Sequence, residues 1–129
     1  MAQQQLWLII LAALIIAMGI AVGHLMFRDT SSSVNRDAVI TDLVNLAARA
    51  QQYYRIPGAS GGGHFSFTGL TISRLTANPT NANGSFVVTS VSPTQVVLDG
   101  TGVEGGNDGS PISVTITVFA DSTAVRVNN

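Results

Sequence analysis

One apolar segment near the N-terminus limits what this chain can fold into more than any other feature. The segment runs for 22 residues from Leu6 to Phe27, and His24 is its only strongly polar member. A helix of about 20 apolar residues, rising about 1.5 Å per residue, spans the hydrocarbon core of a bilayer. The segment can therefore cross a membrane, and it cannot belong to the core of a water-soluble domain.

This segment differs from a cleaved secretory signal, in which a basic stretch precedes an apolar region of about 7 to 15 residues and a small-x-small cleavage site. Met1 to Gln5 carry no basic side chain, and Gly23 to Phe27 form a poor cleavage site. We therefore expect the segment to stay in the working protein. Trp7 is predicted to be an interfacial anchor near one end, and His24 to reach the headgroup region at the other.

Small residues recur within the segment at helical spacing. Ala13, Ala17 and Ala21 lie four residues apart, and Gly19 and Gly23 form a GxxxG pair. In apolar surroundings, helices associate where small side chains let their backbones approach closely. One interpretation is a helix that packs against copies of itself. The other is an ordinary membrane anchor, since Ala and Gly are common in such helices.

A second helical pattern follows the polar run Thr30 to Ser33. Its apolar stripe is predicted to face a core. The stripe comprises Val39, Leu43, Leu46, Ala50 and Tyr53, widened by Ile40, Ala47 and Tyr54. Ser33 is a candidate cap for a separate helix. We favour one long helix of about 55 residues, because no Pro or Gly interrupts the chain between Met26 and Tyr54.

The long helix is expected to stop at Ile56-Pro57-Gly58, because Pro cannot extend a helix and disfavours helical geometry before it. Gly58 to Gly63 then read as a flexible connector. From His64 to Leu75 the alternation of Phe65 and Phe67 indicates a first strand, in which Gly69 marks a bulge.

Further strands are predicted toward the C-terminus. Ser85 to Val91 and Thr94 to Asp99 flank Ser92-Pro93, a hairpin turn. Ile112 to Ala120 has the clearest period of two, with Ile and Val on one face and Ser and Thr on the other. Thr123 to Val127 is the last strand. The pattern indicates four or five antiparallel strands with one apolar face.

The apolar face of this sheet needs a cover, and the helical stripe is the matching surface. The predicted fold class is α+β, with a long N-terminal helix whose apolar half projects and whose amphipathic half packs on a small antiparallel C-terminal sheet. The helix-sheet core is predicted to include Val39, Leu43, Leu46, Tyr53 and Tyr54, with Arg49 stacked on Tyr53. The expected divisions are residues 1–28, 29–57 and 58–129.

Composition excludes several classes of function. The chain has six Arg, no Lys and a net charge of −1, so it offers no basic face for nucleic acid. It has no Cys, which excludes disulfides, thiolate metal sites and covalently attached c-type haem. The two histidines, His24 and His64, fall in the anchor and beside a glycine run. No nucleophile, base and orienting group form a plausible set, so we predict neither an enzyme nor a cofactor.

Two polar motifs have both a functional and a plain interpretation. Asp99, Glu104, Asn107 and Asp108 offer oxygen ligands for calcium, but their spacing does not match an EF-hand, so a solvated turn is favoured. Asn83-Gly84-Ser85 is a glycosylation sequon in a predicted exposed loop, which makes Asn83 a candidate glycosylation site. Such sequons also arise by chance in chains rich in Ser and Thr.

The order of an apolar half-helix, an amphipathic half ending near Arg55 and a small sheet resembles the type IV pilins. The resemblance covers the whole chain as architecture, and its sequence support lies chiefly in Met1 to Pro57. In that family a peptidase removes a short basic leader that ends in Gly, and the new N-terminal Phe or Met is often methylated. The resemblance assigns Met1 to that position.

The chain departs from the pilin pattern at Gln5, where most pilins have Glu. That Glu is thought to pair with the N-terminal amine of a neighbouring subunit. Gln5 can accept a hydrogen bond from the amine but cannot neutralise its charge. The helix-breaking Pro common in the family near the position of Val22 is also absent. Gly19 and Gly23 are the positions where the helix would most readily melt in a filament.

The resemblance implies a structural subunit of an extracellular pilus-like filament, with apolar helices inside and β-domains outside. Its assembly helix would use Met1, Gln5, Trp7, Ala13, Ala17, Gly19, Ala21 and Gly23. The implied partners are identical copies and a pilus assembly machinery, with a single-pass stage in the membrane before assembly. The alternative is a monomeric, membrane-anchored β-domain that binds a partner, or a minor pilin-like component of a secretion or uptake machine.

Overall fold

The computed structural model describes residues 2–129, so Met1 lies outside the described residues. Helix α1 spans Ala2–Arg55, a 3-10 turn follows at Gly58–Ser60, and the single-turn helix α2 spans Ile72–Leu75. The strands are β1 (Gly84–Val91), β2 (Gln95–Gly105), β3 (Pro111–Phe119) and β4 (Thr123–Val127). These elements confirm the α+β class. The chain divides into two compact units, Met1–Ser31 and Ser32–Asn129, and the second contains both the amphipathic helical segment and the sheet.

Helix α1 is one continuous element of 54 residues. It runs through Thr30 to Ser33 without a break, which confirms the single long helix. Ser, Thr and Asn are only modest helix formers, and no Pro or Gly forces a stop there. The helix ends at Arg55, two residues before Pro57, as the sequence predicts.

The four strands form one antiparallel sheet in the order β1-β2-β3-β4. Phe86 is opposite Gly100, Leu98 is opposite Ile116, and Ile116 is opposite Val125. The predicted period of two in β3 is confirmed, because Ile112, Val114, Ile116 and Val118 are buried while the residues between them are half-buried. β2 extends past its predicted end at Asp99 to Gly105, with a register shift between Thr101 and Gly105.

The second half of α1 packs on the buried face of the sheet. Val39, Leu43 and Leu46 are buried in the shared core, and Tyr53 and Tyr54 are partly buried against it. Each fully buried aliphatic side chain contributes about 1.5 to 3 kcal/mol relative to exposure. The helix approaches β2 closely at Gly100, where a Cβ would lie 2.8 Å from Cγ1 of Val39.

The segment from His64 to Leu75 is not a strand, which corrects the prediction. His64 and Phe65 adopt positive φ angles of 51° and 62°, which no extended strand contains. Gly69, with a φ of 85°, lies in a turn rather than a bulge, and the amide of Leu70 donates to the carbonyl of Phe67 at 3.0 Å. Phe67, Leu70 and Leu75 are buried individually in the core. Phe65, the other member of the predicted alternation, is 66% exposed, so the buried residues of this segment do not follow the period of two of a strand.

Gly58 to Gly63, predicted as a flexible connector, form hydrogen-bonded turns, in which the amides of Gly61 and Gly62 donate to the carbonyls of Gly58 and Pro57, each at 3.1 Å. The amides of Gly63, His64 and Phe65 donate to the carbonyls of Tyr53, Ile56 and Tyr54 at 2.8, 3.1 and 2.7 Å. The loop thus supplies donors that the end of a helix otherwise lacks. A Cβ on Gly63 would collide with the carbonyl oxygen of Ser66, so close backbone approach explains that glycine.

The predicted stacking of Arg49 on Tyr53 is wrong. Arg49 Nη1 instead donates to the carbonyl oxygen of Leu75 at 2.7 Å. The guanidinium of Arg74 lies over the Tyr53 ring, 5.6 Å from its centroid. The Tyr53 hydroxyl donates to the carbonyl oxygen of Thr68 at 2.9 Å. The Tyr53 ring therefore contacts the loop that follows α1, whereas Arg49 binds the Leu75 carbonyl oxygen at the end of α2.

Candidate functional site

The first half of α1 presents a largely apolar surface from Leu6 to Phe27, in which His24 is strongly polar. Its large apolar side chains between Leu6 and Phe27 are all exposed, from 54% for Ile10 to 71% for Phe27. Within residues 2–129, α1 is one helix that is long and apolar enough to cross a membrane, by length and composition. Exposure of so large an apolar surface to water is unfavourable.

The small residues of this half-helix lie in two rows. At about 100° per residue, Ala13, Ala17 and Ala21 share one side of the helix. Gly19 and Gly23 lie about 200° further round from Ala17 and Ala21, which places them near the opposite side. A Cβ on either glycine would meet nothing within 4 Å. The helix can therefore admit a close neighbour on each of two sides.

Trp7 and Gln5 are exposed near the start of this half-helix. Gln3, Gln4 and Gln5 give it a polar but uncharged first turn, and the next charged residue along the chain is Arg28. Met1, which the pilin resemblance pairs with position five of a neighbour, lies outside the described residues.

The unit from Ser32 to Asn129 contains a buried polar anchor that the sequence analysis missed. Asn35 is 8% exposed, and its Nδ2 donates to the carbonyl oxygen of Asn83 at 2.8 Å. Its Oδ1 accepts the amides of Val103 and Glu104 at 3.1 and 3.2 Å. Asn35 therefore binds the main chain of β2 at the point where the pairing of β2 with β3 shifts register. The sequence did contain one sign that Asn35 is buried, because Asn35 lies four residues before Val39 and so continues the apolar stripe.

Asp42 is a second polar residue on the sheet side of α1. Its Oδ2 accepts Nδ2 of Asn81 at 3.0 Å and Nδ2 of Asn83 at 2.9 Å. Asn83 is half-buried in this arrangement, and its candidate glycosylation nitrogen already makes a structural hydrogen bond. Glycosylation at Asn83 remains a prediction, and an intact mass equal to that of the bare polypeptide would exclude it.

A cleft of about 140 Å³ opens between this part of the helix and the loop before β1. We refer to it as the polar cleft. Its walls are formed by Asp42, Asn45 and Arg49 of α1 and by Thr76, Asn78 and Asn81 of the loop, and its floor by Leu46 and Phe86. No part of the sequence analysis identified this cleft, because its two walls come from distant segments.

Asp99 and Asp108, two of the candidate calcium ligands, each accept hydrogen bonds from nearby groups. Asp99 lies within β2 and accepts the Thr115 hydroxyl at 2.7 Å. Asp108 lies in the turn and accepts the Ser110 amide at 3.0 Å and Nδ2 of Asn129 at 2.9 Å. The hydrogen bond from the Ser110 amide is the main cause that lowers the pKa of Asp108, and the bond from Nδ2 of Asn129 lowers it further. Residues 2–129 contain no group of three or more His, Cys, Asp or Glu side chains that could hold a metal ion.

The sequence matches no protein-family model, and neither a curated protein nor a solved structure matches it.

Proposed function

We propose that this protein is the structural subunit of an extracellular, type IV pilin-like filament that polymerises through the first half of α1. The observation that carries the proposal is the exposed apolar surface from Leu6 to Phe27 with small residues on two sides. A single-pass membrane stage precedes assembly, in which lipid covers this surface.

Two separate physical effects support polymerisation. Leaving the bilayer for water would expose some 20 apolar side chains, at about 1.5 to 3 kcal/mol for each large one, so the subunit leaves only if neighbours replace the lipid. Exchange of lipid for protein brings little hydrophobic gain, so close packing decides whether helices associate. The alanine row and the glycine row supply that packing on two sides, as a multi-helix bundle requires and a simple dimer does not.

Gln5 sets the chemistry of the proposed contact near the N-terminus. Its amide oxygen can accept a hydrogen bond from a neighbouring amine, but it leaves the charge of that amine uncompensated. A hydrogen bond to a charged partner is worth about 1.5 to 3 kcal/mol. Assembly of this chain would therefore depend more on helix packing than on an ion pair at position five.

The alternative is a monomeric anchored β-domain or a minor pilin-like component of a secretion or uptake machine. Electron microscopy and mass spectrometry of material sheared from the cell surface distinguish the two. The filament proposal expects uniform fibres composed of this chain. Recovery of the chain only as a detergent-solubilised monomer from the membrane fraction would contradict it.

A further inference from the structure

We propose that two opposite ends of the unit from Ser32 to Asn129 form a head-to-tail contact between copies of this chain. The basic end surrounds the end of α1 at Arg55, and the acidic end surrounds the β2-β3 turn. The basic end of one copy docks on the acidic end of the next. This contact rests on the proposed function, because it names the surface through which the β-domains of a filament meet.

Hydrogen bonds place the two ends at opposite limits of the unit. At one limit, Ser32 Oγ donates to the carbonyl oxygen of Gly105 at 2.7 Å, next to the β2-β3 turn. At the other, Arg55 Nη2 donates to the carbonyl oxygen of Ala120 at 3.3 Å, in the β3-β4 turn. Ser32 and Arg55 are about 35 Å apart along the continuous helix, at about 1.5 Å per residue. A shift of about this length along the helix brings the basic end of one copy to the acidic end of another.

The two ends carry charges of opposite sign. The basic end has three arginines and one acid, which are Arg49, Arg55, Arg74 and Asp121. The acidic end has three acids and one arginine, which are Asp37, Glu104, Asp108 and Arg36. Opposite ends of two copies therefore attract each other, and like ends repel. This complementarity is found within one chain, so the partner that it fits is a second copy.

The arginines of both ends are not neutralised inside the chain. Nη1 of Arg49 and Nη1 of Arg74 each donate to a main-chain carbonyl oxygen at 2.7 Å. Nη2 of Arg36 likewise donates to the carbonyl oxygen of Asn129 at 3.1 Å. Across residues 2–129, no hydrogen bond joins an arginine to an Asp or Glu side chain. A carbonyl oxygen orients a guanidinium but carries no full charge, so the carboxylates of another copy remain the partners of opposite sign.

Phe65 is the apolar centre of the basic end. It is 66% exposed, and yet its amide donates to the Tyr54 carbonyl at 2.7 Å and its ring lies edge-on to the Tyr54 ring at 5.9 Å. Its φ of 62° is unfavourable for a bulky residue. Such strain is concentrated at functional surfaces, and here it holds an aromatic ring in solvent. A ring that is already fixed loses little entropy when a partner covers it.

Val103 is the matching apolar position at the acidic end. It is 63% exposed, and Oδ1 of Asn35 accepts its amide at 3.1 Å. Glu104 follows it directly in the chain. Each end thus combines a fixed, exposed apolar residue with charges around it, which is the usual anatomy of a protein interface. A contact between two different surfaces of one chain does not close on itself, so it extends a filament.

Two charge variants of the full chain test this contact. Gln52→Glu with Arg55→Glu makes the basic end acidic, and Glu104→Arg with Asn107→Arg makes the acidic end basic. All four residues are exposed, so both variants should keep the melting temperature of the native chain. Each variant alone brings ends of like charge together, so its yield of sheared fibres should fall about tenfold or more. The two variants expressed in the same cells should form fibres again, because both ends of one are acidic and both ends of the other are basic.

Mass spectrometry of the restored fibres should find the two variants in equal amounts, since they must alternate. Arg126→Glu is the control, because it reverses an exposed charge between the two ends and should assemble normally. Native yield from either charge variant alone, or no fibres from the two together, would overturn the head-to-tail contact while native fibres still support the proposed function. No fibres from the native chain would overturn the proposed function and this contact with it.

Discussion

Asn35 and Gly102 are fitted to each other, because the amide oxygen of Asn35 occupies the space in which a Cβ on residue 102 would stand. The same oxygen accepts the amides of Val103 and Glu104, the two residues that follow that glycine. The absence of a side chain at residue 102 therefore lets a buried amide on the helix reach the main chain of β2. This pair joins the helix to the irregular end of the strand.

Replacement of Asn35 by Ala should lower the free energy of unfolding by about 2 to 4 kcal/mol. The substitution leaves the amides of Val103 and Glu104 and the carbonyl of Asn83 without their hydrogen-bond partner. Gly102→Ala should destabilise the fold through the collision with Asn35. Thermal unfolding of the detergent-solubilised full chain measures both effects. Asn107→Ala is the control and should change stability by less than about 0.5 kcal/mol. An Asn35→Ala variant as stable as that control would show that water replaces the lost hydrogen bonds.

The contact between Gly100 and Val39 predicts a coupled pair of mutations. Gly100→Ala places a methyl group 2.8 Å from Cγ1 of Val39 and should cost about 1 to 3 kcal/mol by overpacking. Val39→Ala should cost about 2 kcal/mol by leaving a cavity. The double variant should be more stable than the sum of the two losses implies, because the new methyl fills part of the cavity. Strict additivity in a double-mutant cycle would count against close packing at this point.

Asp108 predicts a dependence of stability on acid pH. The pKa of Asp108 is lower in the folded chain than its ordinary value of 3.8. The Asp108 carboxylate therefore stabilises the fold fully above pH 3.8, and this stabilisation is lost as the pH falls through the lower pKa of the folded state. The melting temperature of the native chain should exceed that of Asp108→Asn by an amount that shrinks as the pH falls from about 5 to about 2. A constant difference over that range would show that the carboxylate charge is not involved.

The elements that the sequence predicted correctly are those with a local and sustained pattern. The stripe through Val39 and Leu43 and the alternation from Ile112 to Val118 each repeat within one element, so periodicity is enough to orient them. The His64 to Leu75 segment has the same kind of apolar residues but too few of them, and positive φ angles at His64 and Phe65 turn the chain away from any strand. Aromatic strand propensity there is overridden by the capping of α1.

The hydrogen bonds of Asn35 and Asp42 could not be predicted from the sequence, because their partners lie far away along the chain. Asn35 bonds to Asn83, 48 residues away, and to Val103, 68 residues away. Asp42 likewise bonds to Asn81, 39 residues away. No local spacing encodes such partners, so these side chains read as ordinary polar positions of an amphipathic helix. The polar cleft was missed because it depends on the same long-range pairing.

The two rows of small residues predict that assembly is sensitive on both sides of the apolar half-helix. Gly19→Leu fills the glycine row and Ala17→Leu fills the alanine row, and each should hold neighbouring backbones further apart. We expect each variant to abolish or strongly reduce the yield of sheared fibres. Both should keep the melting temperature of the native chain, since neither residue lies in the unit that contains the sheet.

Ile20→Leu is the matched control, because it places the same Leu side chain next to Gly19 without changing side-chain volume, and it should assemble normally. The number of contact faces follows from which of the two leucine variants loses fibre yield. Loss in Gly19→Leu alone would indicate one contact face and thus a pairwise association, whereas loss in both variants requires neighbours on two sides. Normal fibre yield from both leucine variants would contradict close helix packing, because backbones that tolerate an added isobutyl group on either side are not in close contact.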